Sequence, residues 1–242
     1  MSDRNDPVLP PLYSAIRLDA QLVSPRNAFL RKAGSLPEGT LLWSDANGRL
    51  ALALLLDSET SFEESAPVGL VAVVAMGDAI GALAPPVVAV TNSWPDRIEV
   101  NGALVGGTAL HALSGARLLL EAEVLISSAG EYEPGEKPEF TSLHEEGCVD
   151  ITAVRLLESF ARHFLSWLHR WQHDGFGPLR FHWLARGPRR GTSITASVGG
   201  RCIEGSFQDV GPSGELILQH GGAERQLYLA EALAAGPTWN LP

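Results

Sequence analysis

Thr91-Asn92-Ser93-Trp94-Pro95-Asp96-Arg97-Ile98-Glu99-Val100-Asn101-Gly102-Ala103-Leu104-Val105-Gly106-Gly107 is the stretch that decides the fold. Trp94-Pro95 ends an incoming strand, because proline has no N–H to give to a ladder. Ile98 and Val100 then alternate with polar residues, Asn101-Gly102 supplies a tight turn, and Leu104-Val105 begins the return arm. The stretch predicts a β-hairpin with a glycine pair on its second arm. Such a pair weakens a strand, so it marks either close approach of a backbone or ligand, or a structural bulge. Both readings stay open on the sequence.

Upstream, residues 39–43 and 50–56 read as two strands joined by the turn Ser44-Asp45-Ala46-Asn47-Gly48. Residues 67–83 are apolar on nearly every face, the pattern of a buried helix. The run is too short for a membrane span and is broken by Gly77, Asp78 and Gly81. Residues 87–90 read as a buried strand feeding the hairpin. Downstream, residues 118–126 form a strand interrupted by Glu121 and Glu123, and residues 130–138 read as a loop. Asp150 is a good N-cap for a long helix whose stripe is Val154, Leu157, Ala161, Phe164, Leu168 and Trp171, with Gly175 to end it. After a solvated link at residues 186–191, about five short strands predict a small barrel. The fold class is α+β: a mixed sheet packed with helices, then a small all-β unit. The expected divisions are a loose arm at 1–12, a main domain at 13–185 and a small domain at 186–242.

The 242 residues suffice for a full core, and the net charge of −10 with no basic cluster argues against a nucleic-acid surface. Cys148 and Cys202 form no metal-binding pattern and suggest reduced thiols in the cytoplasm. His169 and His173, one turn apart, have no third ligand in view, and a solvated helix face is the plainer reading. His144, Glu145 and Glu146 are adjacent, so they cannot all converge on one point.

From Trp94 to Gly107 the hairpin resembles the signature of the biotin protein ligases, which relate in fold to lipoate ligases and octanoyltransferases. That signature reads Lys-Trp-Pro-Asn-Asp, an alternating strand, a turn, a lysine and Ala-Gly. Thr141-Ser142-Leu143-His144-Glu145-Glu146-Gly147 is similar to the family's Thr-Ser-Leu-x-x-Glu-Gly before its late helix. The C-terminal strands resemble the family's SH3-like domain. The departures are Ser93 for the first lysine, Asp96 for the asparagine, Arg97 for the aspartate and Leu104 for the catalytic lysine. Gly48-Arg49 stands where the family has a long Gly-Arg-rich loop, and Asp19-Ala20-Gln21 is a poor match to its Ser-Thr-Asn element.

The resemblance implies ATP- and magnesium-dependent activation of biotin, or of lipoate or octanoate, and transfer to a lysine of a biotinyl or lipoyl carrier protein. It implies Trp94, Asp96, Arg97, Gly106, Gly107 and Arg49 as cofactor contacts; a homodimer, as happens in the family, stays open, and the charge and the short apolar run argue against nucleic-acid and membrane partners. Whether the chain is an active enzyme stays open. The alternatives are a catalytically silent module that binds the acyl cofactor or carrier domain, and acyl transfer through Cys148, which would need a nearby base or cation.

Overall fold

The computed structural model describes residues 6–18, 25–32, 36–114, 116–128 and 137–242. Asp19-Ala20-Gln21 and most of the 130–138 loop lie outside them. The larger sheet consists of β1 (Ser14–Arg17), β2 (Thr40–Ser44), β3 (Arg49–Asp57), β4 (Val90–Ser93), β5 (Arg97–Val100), β6 (Ala103–Leu113) and β7 (Arg117–Leu125), in the order β1-β2-β3-β7-β6-β5-β4. All its neighbours pair antiparallel except β1 and β2, so the sheet is mixed. Helices α1 (Pro25–Lys32), α2 (Phe62–Ser65), α3 (Pro67–Leu83), α4 (Ala153–Asp174) and α5 (Phe176–Arg186) accompany it. The smaller sheet is an antiparallel meander of β8 (Ser193–Val198), β9 (Arg201–Val210), β10 (Leu216–His220) and β11 (Ala223–Leu227), followed by α6 (Leu229–Ala234). This is the predicted α+β architecture.

The hairpin forms as its residues require. Asn101 and Gly102 take φ of 50° and 92°, the left-handed backbone of a tight turn, and Val100 pairs with Ala103 across it. Strand alternation then sorts the sheet into two faces. Leu50, Leu52, Leu54 and Leu56 of β3 and Leu118, Leu120, Ala122 and Val124 of β7 share one core with α3. On the other, outer face, Ala53, Leu55, Leu42 and Leu119 form a small second cluster with Ala28 of α1.

Helix α3 opens on Pro67, whose missing N–H costs nothing at a first helical position. The segment Phe62–Leu83 is long and apolar enough to cross a membrane, yet 78% of its most apolar window is buried inside the protein, so it serves as the core helix. Helix α4 lies beside it and ends at Gly175, as expected, with φ of 76°.

Several expectations need correction. Thr152, not Asp150, caps α4: its hydroxyl accepts from the Arg155 N–H at 3.3 Å. Residues 87–90 are not a buried strand, since Val87 is 88% exposed and β4 begins only at Val90. Residues 176–186 form a helix that the sequence reading left out. Its last residue, Arg186, is not solvated linker but pairs with Asp78 of α3 at 2.5 Å. The small unit shows four strands among the described residues instead of about five, and Leu229 opens a helix. Glu121 and Glu123 do not interrupt β7; they occupy its outer-face positions. Within the expected arm, the Val8 N–H donates to Glu158 at 2.8 Å.

Candidate functional site

The row Ala51–Glu123–Gly107–Arg97 crosses four neighbouring strands of the outer face. Cross-strand partners share a face, so the alternation that buries Leu52 and Val124 presents this row on the other side. At its β3 end the turn into Arg49 is tight. Asn47 and Gly48 adopt φ of 52° and 68°, and a Cβ on Gly48 would strike the Ser127 carbonyl. The turn therefore delivers Arg49 directly to the edge of the outer face, where its guanidinium donates to Glu123 at 2.6 Å and to the Pro242 oxygen.

Beside this row lies a cavity of about 610 Å³, within the range of cofactor sites. Ala51 and Ala109 contribute to its floor, Ser44 and Asn47 to one rim, and Pro237 and Trp239 to another. Its charges are Arg26, Arg49, Glu121 and Glu123. They are arranged in opposite pairs: Arg26 stands 3.8 Å from Glu121, which also meets His111 at 2.6 Å, and Arg49 faces Glu123.

The glycine pair serves two close approaches. A Cβ on Gly106 would collide with the Glu123 carbonyl of β7, and one on Gly107 would collide with the Trp239 ring. The register shift between Ile98 and Glu99 leaves Val105, next to the pair on β6, as the extra residue of a bulge. Residues 236–242 thus return across the hairpin. The Thr238 N–H donates to Asp96 Oδ2 at 2.8 Å, the Thr238 hydroxyl bonds Oδ1, and Trp239 Nε1 donates to the Thr108 carbonyl at 2.9 Å. Asp96 is 1% exposed, and burial pushes its carboxyl up to about 6 against the downward pull of Thr238 and Arg97.

The six expected contacts are thereby separated. Arg49 lines the cavity. Asp96 and Gly107 sit beneath residues 238 and 239. Arg97 stands across from Gly107 on the outer face, with its Nε buried and lacking a hydrogen-bond partner among the described residues. Gly106 is enclosed against β7. Trp94, which precedes a cis proline, is 5% exposed, and its indole N–H donates to the Gly214 carbonyl at 2.9 Å. Leu104 is 3% exposed, packs in the main core and bridges to Phe140.

The other candidates resolve structurally. The His144 ring bonds the Ile151 carbonyl at 2.9 Å, Glu145 accepts from the Ser142 N–H at 3.1 Å, and Glu146 accepts from Thr141 and Asn101 at 2.6 Å. The three side chains diverge and close the loop before α4. Burial, with Glu146 nearby, raises the Cys148 thiol above its ordinary range, the opposite of an activated nucleophile. His169 and His173 stack with ring centroids 6.0 Å apart, and the described residues contain no group of three metal-ligating side chains.

Sequence reasoning missed Arg26, His111, Pro237, Thr238 and Trp239. Alternation could have placed Glu121, Glu123 and Arg49 on one face, but no local signal brings Trp239 back to β6.

The family model described as the biotin/lipoate A/B protein ligase family matches residues 9–185. A biotin–acetyl-CoA-carboxylase ligase of Paracoccus denitrificans is 30% identical over 201 residues, 80% of this chain and 83% of that protein. A biotin protein ligase-like protein from a Silicibacter species superposes with a TM-score of 0.81 at 27% identity, covering 93% of this chain and 98% of its own. The biotin protein ligase of Aquifex aeolicus in complex with biotin and ATP has the same fold, with a TM-score of 0.75 at 16% identity over 90% and 96% of the two chains. The hairpin, the sheet it belongs to and these matches agree: the chain belongs to the biotin/lipoate protein ligase family.

Proposed function

We propose that the outer-face cavity binds a carboxylic acid of the biotin or lipoate/octanoate class, and that the chain takes part in the family's chemistry. In that chemistry ATP and magnesium activate the acid, and a lysine of a carrier protein receives it. The observation that carries this reading is Arg49, delivered by a tight turn to the lining of a cavity of about 610 Å³ in which Ala51 and Ala109 stand beside the charged groups. A guanidinium suits carboxylate and phosphate oxygens because its planar fork donates two parallel hydrogen bonds. Arg26 supplies a second positive charge in the lining, and Ala51 and Ala109 leave room for an apolar body. The Paracoccus relative, named as a biotin ligase acting on acetyl-CoA carboxylase, supports the same substrate class.

Leu104 favours a second reading, a module that binds the acid or its carrier without ligating them. It stands where the resemblance places the catalytic lysine, and it is buried in the core. Losing one charge-stabilising donor costs activation on the order of a hundred- to a thousandfold. The glutamates facing Arg26 and Arg49 add to this reading.

Calorimetric titration with biotin, lipoate and octanoate, each with and without ATP and magnesium, tests both readings when paired with mass analysis of a biotinyl carrier domain after incubation. Saturable heat with a carrier mass increase establishes ligation. Heat without a mass change selects the binding module. A flat titration with all three acids refutes the acid site and leaves only the carrier-binding form of the second reading. Arg49→Ala should abolish the heat.

A further inference from the structure

We propose that residues 236–242 form a working wall of this ligand site, with Trp239 a ligand-binding residue and Asp96 and Thr238 the positioning residues that hold it. The inference rests on the reading of the cavity as an acid site. The β2–β3 turn reaches only one rim, through Ser44 and Asn47, while Pro237 and Trp239 make another. The segment that supplies them is fixed to the larger sheet at three separate points: Thr238 on Asp96, Trp239 on Thr108 and the Pro242 oxygen on Arg49.

Two of these points are built into the sheet, one on β6 and one in the turn that leads into β5. Gly107 lacks the Cβ that would push the indole away, so the ring lies directly on the β6 backbone. Asp96 is a carboxylate buried to 1% exposure, which is costly unless donors meet it, and Thr238 supplies two of them, its N–H and its hydroxyl. Gly236, at φ of 93°, turns the chain out of α6 toward these anchors. The ligand class follows from the lining: an acid head toward Arg26 and Arg49, and a flat or aliphatic body against Trp239 and Pro237. The aromatic ring thus supplies apolar contact at a rim that the short turn does not reach.

The test titrates biotin, lipoate and octanoate into the full-length protein and into Trp239→Ala, Trp239→Phe and Thr238→Val. Hydrogen exchange of residues 236–242 without ligand is measured alongside. Trp239→Ala should weaken the acid that binds by about tenfold or more, and Trp239→Phe should stay within about threefold of the parent, as expected for a buried aromatic contact. Thr238→Val should weaken binding and also speed exchange in the ligand-free segment, a change that needs no ligand to be seen. Unchanged binding in Trp239→Ala overturns the wall while leaving the acid site intact. Tighter binding in that variant also overturns it, since the segment would then be an obstruction. A flat titration of the parent protein removes the acid site and the wall together.

Discussion

Asp96 permits a quantitative test of how residues 236–242 are held. Burial raises its carboxyl from the ordinary 3.8 to about 6 even though Thr238 donates to both oxygens and Arg97 is close. The folded protein therefore holds this proton more tightly than the unfolded chain does. Below the unfolded value both states are protonated and the contribution to stability is fully present. As pH rises, the unfolded chain releases its proton first, and stability declines until the folded carboxyl ionises near 6. At 1.36 kcal/mol for each pH unit separating the two values, the loss is about 3 kcal/mol. For a chain of this length that corresponds to roughly 6–12 °C in Tm. Asp96→Asn removes the titration, and its amide oxygen still accepts the Thr238 N–H. Urea unfolding of parent and variant should be followed at pH 4, 5, 6 and 7 with m checked for constancy. The variant should gain on the parent by roughly 2.4 kcal/mol between pH 4 and 7, the rest of the loss lying below pH 4. Parallel curves would refute the account, because they would mean that Asp96 ionises as easily in the fold as outside it.

Gly107→Ala should cost roughly 1–3 kcal/mol in urea unfolding, because its Cβ overlaps the Trp239 ring, and it should accelerate hydrogen exchange in residues 236–242. Asp78→Asn should destabilise the protein by roughly 1–3 kcal/mol at pH 7. Burial pushes the Asp78 carboxyl up, but donors from Trp167, His182 and Arg186 outweigh it and hold it below its ordinary range. That contribution is present above the unfolded value and disappears as pH falls, so the deficit in guanidinium midpoint should shrink in acid. Leu104→Lys should lower stability by several kcal/mol, about 3, in thermal unfolding, since it places an ammonium in the core; an unchanged Tm would show that this side chain reaches solvent or the cavity.

The hairpin was legible because its signals are local and strong: Pro95 interrupts one strand and Asn101-Gly102 reverses the next. Helices α3 and α4 were legible from their apolar periodicity. Helix α5 was not, because Gly175, Gly177 and Pro178 look like breakers, although proline is tolerated in a first helical turn. Residues 87–90 misled in the opposite way: an apolar run after Pro85-Pro86 suggested a buried strand, but tertiary context left Val87 in solvent. Within the site, the glycine pair announced close approach without saying by what. The answer for Gly107 is a ring 132 positions later, and the Trp239–Thr108 bond spans 131 positions. Short-range pattern has no access to such a contact. The opposed charges were closer to hand, since alternation alone places Arg49, Glu121 and Glu123 on one side of the sheet.

The indole of Trp94 is tied to Gly214, Arg180 reaches Asp209 at 2.5 Å, and Thr238 closes back on Asp96. The C-terminal unit is consequently moored to the hairpin and to α5 by contacts distributed well beyond the covalent connection at residues 187–192. A protease nick in that connection should leave two fragments that elute together as one particle, and heating the intact chain should melt both sheets in a single cooperative transition.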